Sequence, residues 1–289
     1  MPALVTPLET DNRTVNTAVV ETLVERLLHD GADGFYILGA TGEGLAILCE
    51  EREKLCVSVI RAVAHRVPII CHIASMNLDE AIALARHAER CGADAVAAIP
   101  PIFFSYDSED IYLYYKRLAE SVHIPLIIYK HPAAQKNMKA EAIARIFEID
   151  NVTGIKWSTG DYYELMRLKD ITQGEMNIIN GSDEMLVCGL AAGADAGIGS
   201  TYNLMIRQYK EIYRLFTSGD VNGARKLQLR VNRVIDVLLR HECVPSIKYA
   251  LGADGISVGT CRFPMRQIGN VEGEKLMHEL LEAGFPFET

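Results

Sequence analysis

The chain has 289 residues, of which 49% are hydrophobic and 23% are charged, proportions typical of a globular protein that exclude extensive disorder. Its 38 acidic and 29 basic residues give a formal net charge of −9, so we expect neither nucleic acid nor a membrane surface as a partner. It has no apolar run near the ~20 residues that span a bilayer, no signal-peptide pattern, and seven cysteines without a CxxC pair. These features predict a cytoplasmic protein with reduced thiols.

Short apolar runs alternate along the chain with longer amphipathic stretches, a pattern that predicts parallel strands connected by helices. Eight apolar runs are predicted to be strands, at residues 3–6, 34–40, 68–74, 95–101, 125–129, 152–156, 176–180 and 196–200. Seven helices are predicted between them, at residues 17–30, 50–65, 79–91, 108–122, 140–148, 162–171 and 184–192. The tripeptide Gly-Ala-Asp follows three of these helices. Its glycine readily adopts the left-handed conformation that ends a helix, so we expect each of the three helices to end there.

Eight strand–helix units predict an α/β fold of the (β/α)8 TIM-barrel type, and a doubly wound open sheet is the alternative. Beyond residue 207 the strand pattern stops, and helices are predicted at residues 209–217, 220–240 and 272–282. We therefore expect a single domain. In it, residues 1–206 form the barrel and residues 207–289 form a C-terminal helical extension packed against it.

The candidate chemistry lies at the carboxyl ends of the strands, where barrel enzymes place their sites. Lys156 ends the sixth apolar run and Trp157 follows it, so the lysine amine is expected in a confined, apolar barrel mouth. Desolvation disfavours the charged form of an amine, which favours a nucleophilic lysine that forms an imine. Two alternatives remain open: Lys156 pairs with a carboxylate such as Asp183 for structure, or Lys130 is the nucleophile.

Two further features are expected at the same mouth. Tyr129 ends the fifth run, where a phenol can pass protons to and from a bound imine, with a packing role as the alternative. The segment 39–43, GATGE, predicts a tight glycine turn whose backbone N–H groups, with the Thr41 hydroxyl, bind a small anion. A carboxylate is favoured, because the segment lacks both the Walker lysine and the dinucleotide glycine order. The chain has no HExxH motif or paired-cysteine spacing, so we expect no metal site.

Three of these features together resemble the pyruvate-dependent class I aldolases of the dihydrodipicolinate synthase and N-acetylneuraminate lyase superfamily: GATGE at 39–43, Tyr129, and GIKWSTGD at 154–161 with its lysine. The resemblance covers nearly the whole chain, in order, and segments 180–184 and 193–203 look most like N-acetylneuraminate lyase. It implies a homotetramer, no cofactor, and a small-molecule 2-keto acid substrate such as pyruvate or a sugar acid.

The resemblance also implies a role for each matching residue. Lys156 would form the Schiff base with the ketone carbon of pyruvate, and Tyr129 would be the general acid/base. Thr41 and the backbone around Ala40 would hold the pyruvate carboxylate. The hydroxylated tail of a sugar acid would be bound by residues that follow the last three strands, Ser158, Gly181, Asp183, Glu184 and Ser200.

The chain departs from the family's pattern after Tyr129, where it reads Lys130-His131-Pro132, and at three further positions. Members usually carry a hydroxyl residue where Ala40 stands and a tyrosine where Phe103 stands, which complete a proton relay, and both hydroxyls are missing here. Ala134 stands where dihydrodipicolinate synthases carry an arginine, which disfavours that synthase. The expected activity is a carbon–carbon lyase reaction, cleavage of N-acetylneuraminate to N-acetylmannosamine and pyruvate. The alternatives are an aldolase or dehydratase for another 2-keto-3-deoxy sugar acid, and a weakly active or inactive sugar-acid-binding protein.

Overall fold

The computed structural model of the protein describes residues 1–134 and 137–287. In that part of the chain, seven parallel strands form one sheet, and each strand pairs with the next one in the sequence. The strands are β1 (Phe35–Ile37), β2 (Ile69–His72), β3 (Ala95–Ala98), β4 (Leu126–Lys130), β5 (Val152–Trp157), β6 (Asn177–Asn180) and β7 (Ala196–Gly197). Since neighbouring strands are parallel, their carboxyl ends all lie at one edge of the sheet. The predicted α/β class and strand order are confirmed.

The first predicted strand, residues 3–6, is not confirmed as a strand, because it makes only isolated bridges. Ala3 pairs with Tyr36 on β1, and Pro2 pairs with Gly199, just after β7. The Leu4 N–H donates to the Tyr36 carbonyl and the Ala3 N–H to the Gly199 carbonyl, both at 2.8 Å. Pro2 has no N–H to extend either ladder. Segment 2–4 therefore hydrogen-bonds to both outer strands or their extensions.

Helices fill the connections between the strands and the C-terminal part of the described chain. They are α1 (Thr17–His29), α2 (Cys49–Val63), α3 (Leu78–Cys91), α4 (Ser108–Ala119), α5 (Ala140–Phe147), α6 (Tyr162–Ile171), α7 (Leu186–Ala191), α8 (Tyr202–Thr217), α9 (Val221–Arg240), α10 (Cys243–Ala253) and α11 (Asn270–Glu282). The predicted boundary between residues 206 and 207 lies inside α8. None of the helices in the described residues is long and apolar enough to cross a membrane.

The sequence did not predict α10. Four consecutive residues of this helix, at 245–248, are buried, and two of them, Ser246 and Lys248, are polar, so burial here does not follow a helical pattern of apolar residues. The three Gly-Ala-Asp helix ends are confirmed. Gly31, Gly92 and Gly193 have φ of +93°, +94° and +101°, and the N–H of each following alanine bonds back to the preceding helix. Each helix thus stops just before the next strand begins.

Candidate functional site

Lys156 lies at the centre of the candidate site, on β5 directly opposite Tyr129 on β4. Its Nζ is 4.4 Å from the centroid of the Tyr129 ring and 4.4 Å from that of Tyr36 on β1. The residue is only 4% exposed. Within the described residues it makes no ion pair with Asp183, whose carboxylate instead accepts hydrogen bonds from Thr201. The amine therefore lies in a buried, largely aromatic environment, the kind of apolar pocket in which nucleophilic lysines occur.

Lys130 has a different environment from Lys156. Neighbouring residues of a strand point to opposite faces of the sheet, so Lys130 lies on the other face from Tyr129. Its Nζ is 3.8 Å from the centroid of Trp157, which is fully buried. Burial lowers the pKa of the Lys130 amine to about 8. The Lys130 side chain thus contacts Trp157 on the opposite face of the sheet and does not lie beside those of Lys156 and Tyr129.

An aromatic cluster around Lys156 includes two residues that the sequence analysis missed, Tyr36 and His72. Their ring centroids are 6.0 Å and 5.8 Å from that of Tyr129, both in edge-on arrangements. Burial is the main cause that lowers the pKa of His72 to about 3 and raises that of Tyr36 well above its ordinary value of 10. Both side chains are therefore neutral near pH 7. The buried Tyr36 hydroxyl has no hydrogen-bond partner among residues 1–134 and 137–287.

The glycine turn after β1 has the compact form that its sequence predicts. The Glu43 N–H donates to the Ala40 carbonyl at 3.0 Å, which closes a turn with Thr41 and Gly42 at its centre. A Cβ at Gly44 would overlap the Leu38 carbonyl, so only glycine fits there. Leu38 and Glu43 have φ of 61° and 56°, values that cost free energy in residues other than glycine.

The turn presents donors at the carboxyl end of the sheet. The hydroxyl oxygens of Thr41 and Ser200 lie 2.6 Å apart, so the loops after β1 and β7 meet. In the described part of the chain, the Thr41 and Gly42 N–H groups donate to no protein acceptor. Ala40 is exposed beside them. These groups can bind a carboxylate, as a turn with free N–H groups typically does.

Asp183 is a buried carboxylate, 8% exposed, that follows β6. Its Oδ2 accepts hydrogen bonds from the Thr201 N–H and the Thr201 hydroxyl, both at 2.7 Å. The same hydroxyl lies 2.6 Å from the Tyr209 hydroxyl on α8. Burial raises the pKa of Asp183 to about 6, while the Thr201 hydrogen bonds oppose that rise. The carboxyl group therefore titrates just below neutral pH.

The other predicted tail-binding residues lie on the loops after β5 and β6. The Ser158 hydroxyl is buried without a partner in the described structure. Gly181 packs against it so closely that a Cβ there would overlap the Ser158 oxygen. Glu184 is exposed, and its carbonyl accepts a hydrogen bond from Asn232 on α9. The described residues contain no group of three or more His, Cys, Asp or Glu side chains that could hold a metal ion.

The chain matches a protein-family model and several curated proteins over most of its length. The model of the dihydrodipicolinate synthetase family matches residues 1–283. The chain is 31% identical to an N-acetylneuraminate lyase of Rhizobium meliloti (strain 1021), with 92% of this chain and 88% of that protein covered. It is 32% identical to an N-acetylneuraminate lyase of Escherichia coli K12, with 97% and 93% covered.

Solved structures with both enzyme names share the fold. An N-acetylneuraminate lyase from Aliivibrio salmonicida superimposes with a TM-score of 0.93 at 27% identity, covering 98% of this chain and 96% of its own. A dihydrodipicolinate synthase from Bacillus anthracis superimposes with a TM-score of 0.92 at 27% identity, covering 97% and 96%. Likeness of fold therefore does not separate the two activities.

Proposed function

Because the chain belongs to the dihydrodipicolinate synthetase family and is a lyase of that superfamily, we propose that it cleaves N-acetylneuraminate to N-acetylmannosamine and pyruvate through a Schiff base. The observation that carries the proposal is the position of Lys156, whose amine lies between Tyr36 and Tyr129 and is almost inaccessible to solvent. The relatives named N-acetylneuraminate lyase, at 31% and 32% identity, support the choice of substrate.

The proposed reaction begins when the uncharged amine of Lys156 attacks the ketone carbon of the substrate. The Tyr129 phenol gives its proton to the departing hydroxyl, which leaves as water, and the resulting protonated imine acts as an electron sink beside the Tyr129 phenolate. The bond between C3 and C4 then breaks as the C4 hydroxyl gives its proton to Tyr129, whose ring adjoins the amine. N-acetylmannosamine departs and leaves an enamine, which is protonated at C3. Hydrolysis of the new imine releases pyruvate and restores Lys156.

The carboxylate of the keto acid would bind at the glycine turn. Thr41 offers a hydroxyl, and the N–H groups of Thr41 and Gly42 are not used by other described protein groups. Three donors that converge on a carboxylate fix its orientation. The ketone carbon would then be presented to Lys156.

The hydroxylated tail would bind along the loops after β5, β6 and β7. Polyol recognition needs several donors and acceptors that converge on one ligand. The unpartnered Ser158 hydroxyl and the buried Asp183 carboxylate meet that need. The remaining members of the set are Gly181, Glu184 and Ser200.

A second candidate keeps the Schiff base and changes the substrate to another 2-keto-3-deoxy sugar acid. The observation that favours it is His131, whose ring centroid lies 5.4 Å from that of Tyr129, in a chain that has alanine at position 40. An imidazole at this place offers a proton-transfer group where the relay hydroxyls are missing. The product that leaves with the help of the His131 imidazole would then differ from N-acetylmannosamine.

We also propose a complete (β/α)8 barrel in which segment 2–4 takes the place of the eighth strand, with residues 1–206 in the barrel and 207–289 in the helical extension. The bonds of this segment to Tyr36 and Gly199 support the closure.

We propose a homotetramer as well. Its support is the exposure of Phe103 and Phe104, 81% and 68%, since large exposed apolar side chains next to one another are typical of subunit contacts. Sedimentation velocity tests the tetramer.

The experiment that tests the proposed function measures pyruvate release from N-acetylneuraminate and from a panel of shorter 2-keto-3-deoxy sugar acids. Lys156→Ala should abolish release, whereas Lys130→Ala, which removes a buried lysine one position from Tyr129, should retain it. Asp183→Ala should weaken the use of the long substrate more than that of short ones. Release from the shorter acids alone would favour the second candidate, and no release from any acid would contradict both.

A further inference from the structure

A buried ion pair joins the glycine turn after β1 to helix α10 near the C-terminus. Lys248 Nζ lies 2.5 Å from Glu43 Oε1, and the two side chains are 1% and 0% exposed. The Arg262 N–H donates to the other carboxylate oxygen of Glu43 at 2.5 Å. Lys248 also donates to the Thr260 carbonyl at 3.0 Å. Both oxygens of the Glu43 carboxylate are thus held by residues more than 200 positions away in the sequence.

This pair is not explained by stability alone. Removing two charges from water costs about as much as their attraction returns, and apolar residues of similar volume often stabilise a protein as well. The ion pair and the hydrogen bonds around it also fix the position of the Glu43 side chain. Glu43 is the last residue of the turn that Ala40 begins, and its φ of 56° needs such external support.

The turn has neutral anchors on its other sides. The Thr6 hydroxyl donates to the Gly42 carbonyl at 2.6 Å, and Thr41 contacts Ser200 at 2.6 Å. Both are single hydrogen bonds between uncharged groups. The contact with Lys248 instead joins two opposite charges that are buried away from water, where their attraction is less screened than at the surface.

We propose that Lys248 is a positioning residue for the keto-acid carboxylate, which it influences through Glu43 and the turn that carries Thr41. The inference rests on the proposed function, since it assigns the turn to the carboxylate of a pyruvate-type substrate. Lys248 itself does not touch the substrate. The C-terminal helical part of the chain thereby becomes part of the binding machinery for the keto acid.

The test is the concentration of pyruvate that half-saturates reductive trapping by borohydride, measured for the full chain and its variants. Lys248→Met should raise this concentration about tenfold, because the turn loses its ion pair with Lys248 and no longer holds the carboxylate-binding groups in one position, while the limiting rate stays within about threefold. His241→Gln is the matched control. It removes contacts of His241 with Glu272 and Glu279 in the same part of the chain and leaves Glu43 untouched.

The control distinguishes positioning from loss of stability. His241→Gln should lower the melting temperature without changing the half-saturating concentration. Lys248→Arg keeps the cation that faces Glu43, and Lys248 lines a cavity of about 390 Å³, so pyruvate binding should return to within about threefold of the wild type. If Lys248→Met does not fold, the variant Glu43→Gln/Lys248→Met, which leaves no unpaired charge, takes its place with the same expected tenfold rise.

Two results would overturn the inference. One is an unchanged half-saturating concentration in Lys248→Met or in the double variant, while the wild type is trapped normally. The other is an equal rise in His241→Gln. If the wild-type protein forms no adduct at any pyruvate concentration, the proposed function itself fails, and the inference fails with it.

Discussion

Thr201 donates two hydrogen bonds to the same oxygen of Asp183, one from its backbone N–H and one from its hydroxyl, each 2.7 Å long. The carboxylate is therefore fixed through Oδ2, and Oδ1 lies close to Gly199, where an added Cβ would overlap it. Burial nevertheless penalises its charge, which is why the Asp183 pKa is about 6 rather than the ordinary 3.8. If Asp183 binds the sugar tail as proposed, its capacity to accept a hydrogen bond from that tail changes within the range of pH at which enzymes are assayed.

The first prediction concerns the pH dependence of substrate binding. Below pH 6 Asp183 is protonated and loses acceptor capacity, so the KM for N-acetylneuraminate should rise as the pH falls from 7 to 5. Asp183→Asn, which is uncharged throughout, should show a raised KM that does not change over this range. Steady-state pyruvate release at several pH values measures both. A wild-type KM that stays constant between pH 5 and 7 would contradict the role given to Asp183.

The same group makes a prediction for stability. Its pKa is higher in the folded protein than in the unfolded chain, so its contribution is fully present below pH 3.8 and is lost as the pH rises through 6. The difference in pKa corresponds to about 3 kcal/mol, and the loss should be complete near pH 7. Urea unfolding of the wild type and of Asp183→Asn at pH 4 and pH 7 measures it. The stability difference between the two proteins should shift by that amount in favour of the variant at pH 7, and an unchanged difference would refute the assignment.

Removal of the Thr41 hydroxyl should weaken keto-acid binding. Thr41→Val keeps the shape of the side chain but removes the donor, so the KM for the substrate should rise about tenfold, as expected for a hydrogen bond to a charged group. Thr172→Val is the control, because it removes a buried hydroxyl that bonds only within and beside α6. Equal KM values for the two variants would show that the turn does not hold the carboxylate.

The close packing of the glycine turn predicts a large difference between two glycine substitutions. Gly44→Ala places a methyl group on the Leu38 carbonyl, which should cost about 2–3 kcal/mol of unfolding free energy. Gly252→Ala, in helix α10 with open space around the new Cβ, should stabilise the protein by about 1 kcal/mol. Urea denaturation of both variants provides the comparison. Similar values for the two would mean that the turn can relax.

Much of the fold was accessible from the sequence, because the chain repeats one local pattern. Each buried strand is a short apolar run, and three helices end at the same Gly-Ala-Asp signal. Lys156 and Tyr129 could be expected on the same side because both end apolar runs that are neighbours in a parallel sheet. The first apolar run was the exception. Whether residues 3–6 form a strand depends on how they pair with the two outer strands. Their contacts with Tyr36 and Gly199 are tertiary, and no local sequence pattern predicts them.

Other residues of the site could not be predicted from the sequence, and the physical reason differs between them. Tyr36 and His72 lie within strands buried on both faces, so hydrophobic periodicity does not reveal which face each side chain takes. Lys248 and Glu43 are 205 positions apart, and their pairing is purely tertiary. One signal could have indicated Lys248, since it is the single charged residue in the otherwise apolar segment CVPSIKYALGA of α10.

The Schiff base at Lys156 is tested most directly when the protein is incubated with pyruvate and reduced with borohydride, and the modified peptide is mapped by mass spectrometry. We expect one reduced pyruvate adduct per chain, located on Lys156 and absent from Lys156→Ala, with Lys130 unmodified. An adduct on Lys130 instead, or no adduct at saturating pyruvate, would contradict the proposed Schiff base at Lys156.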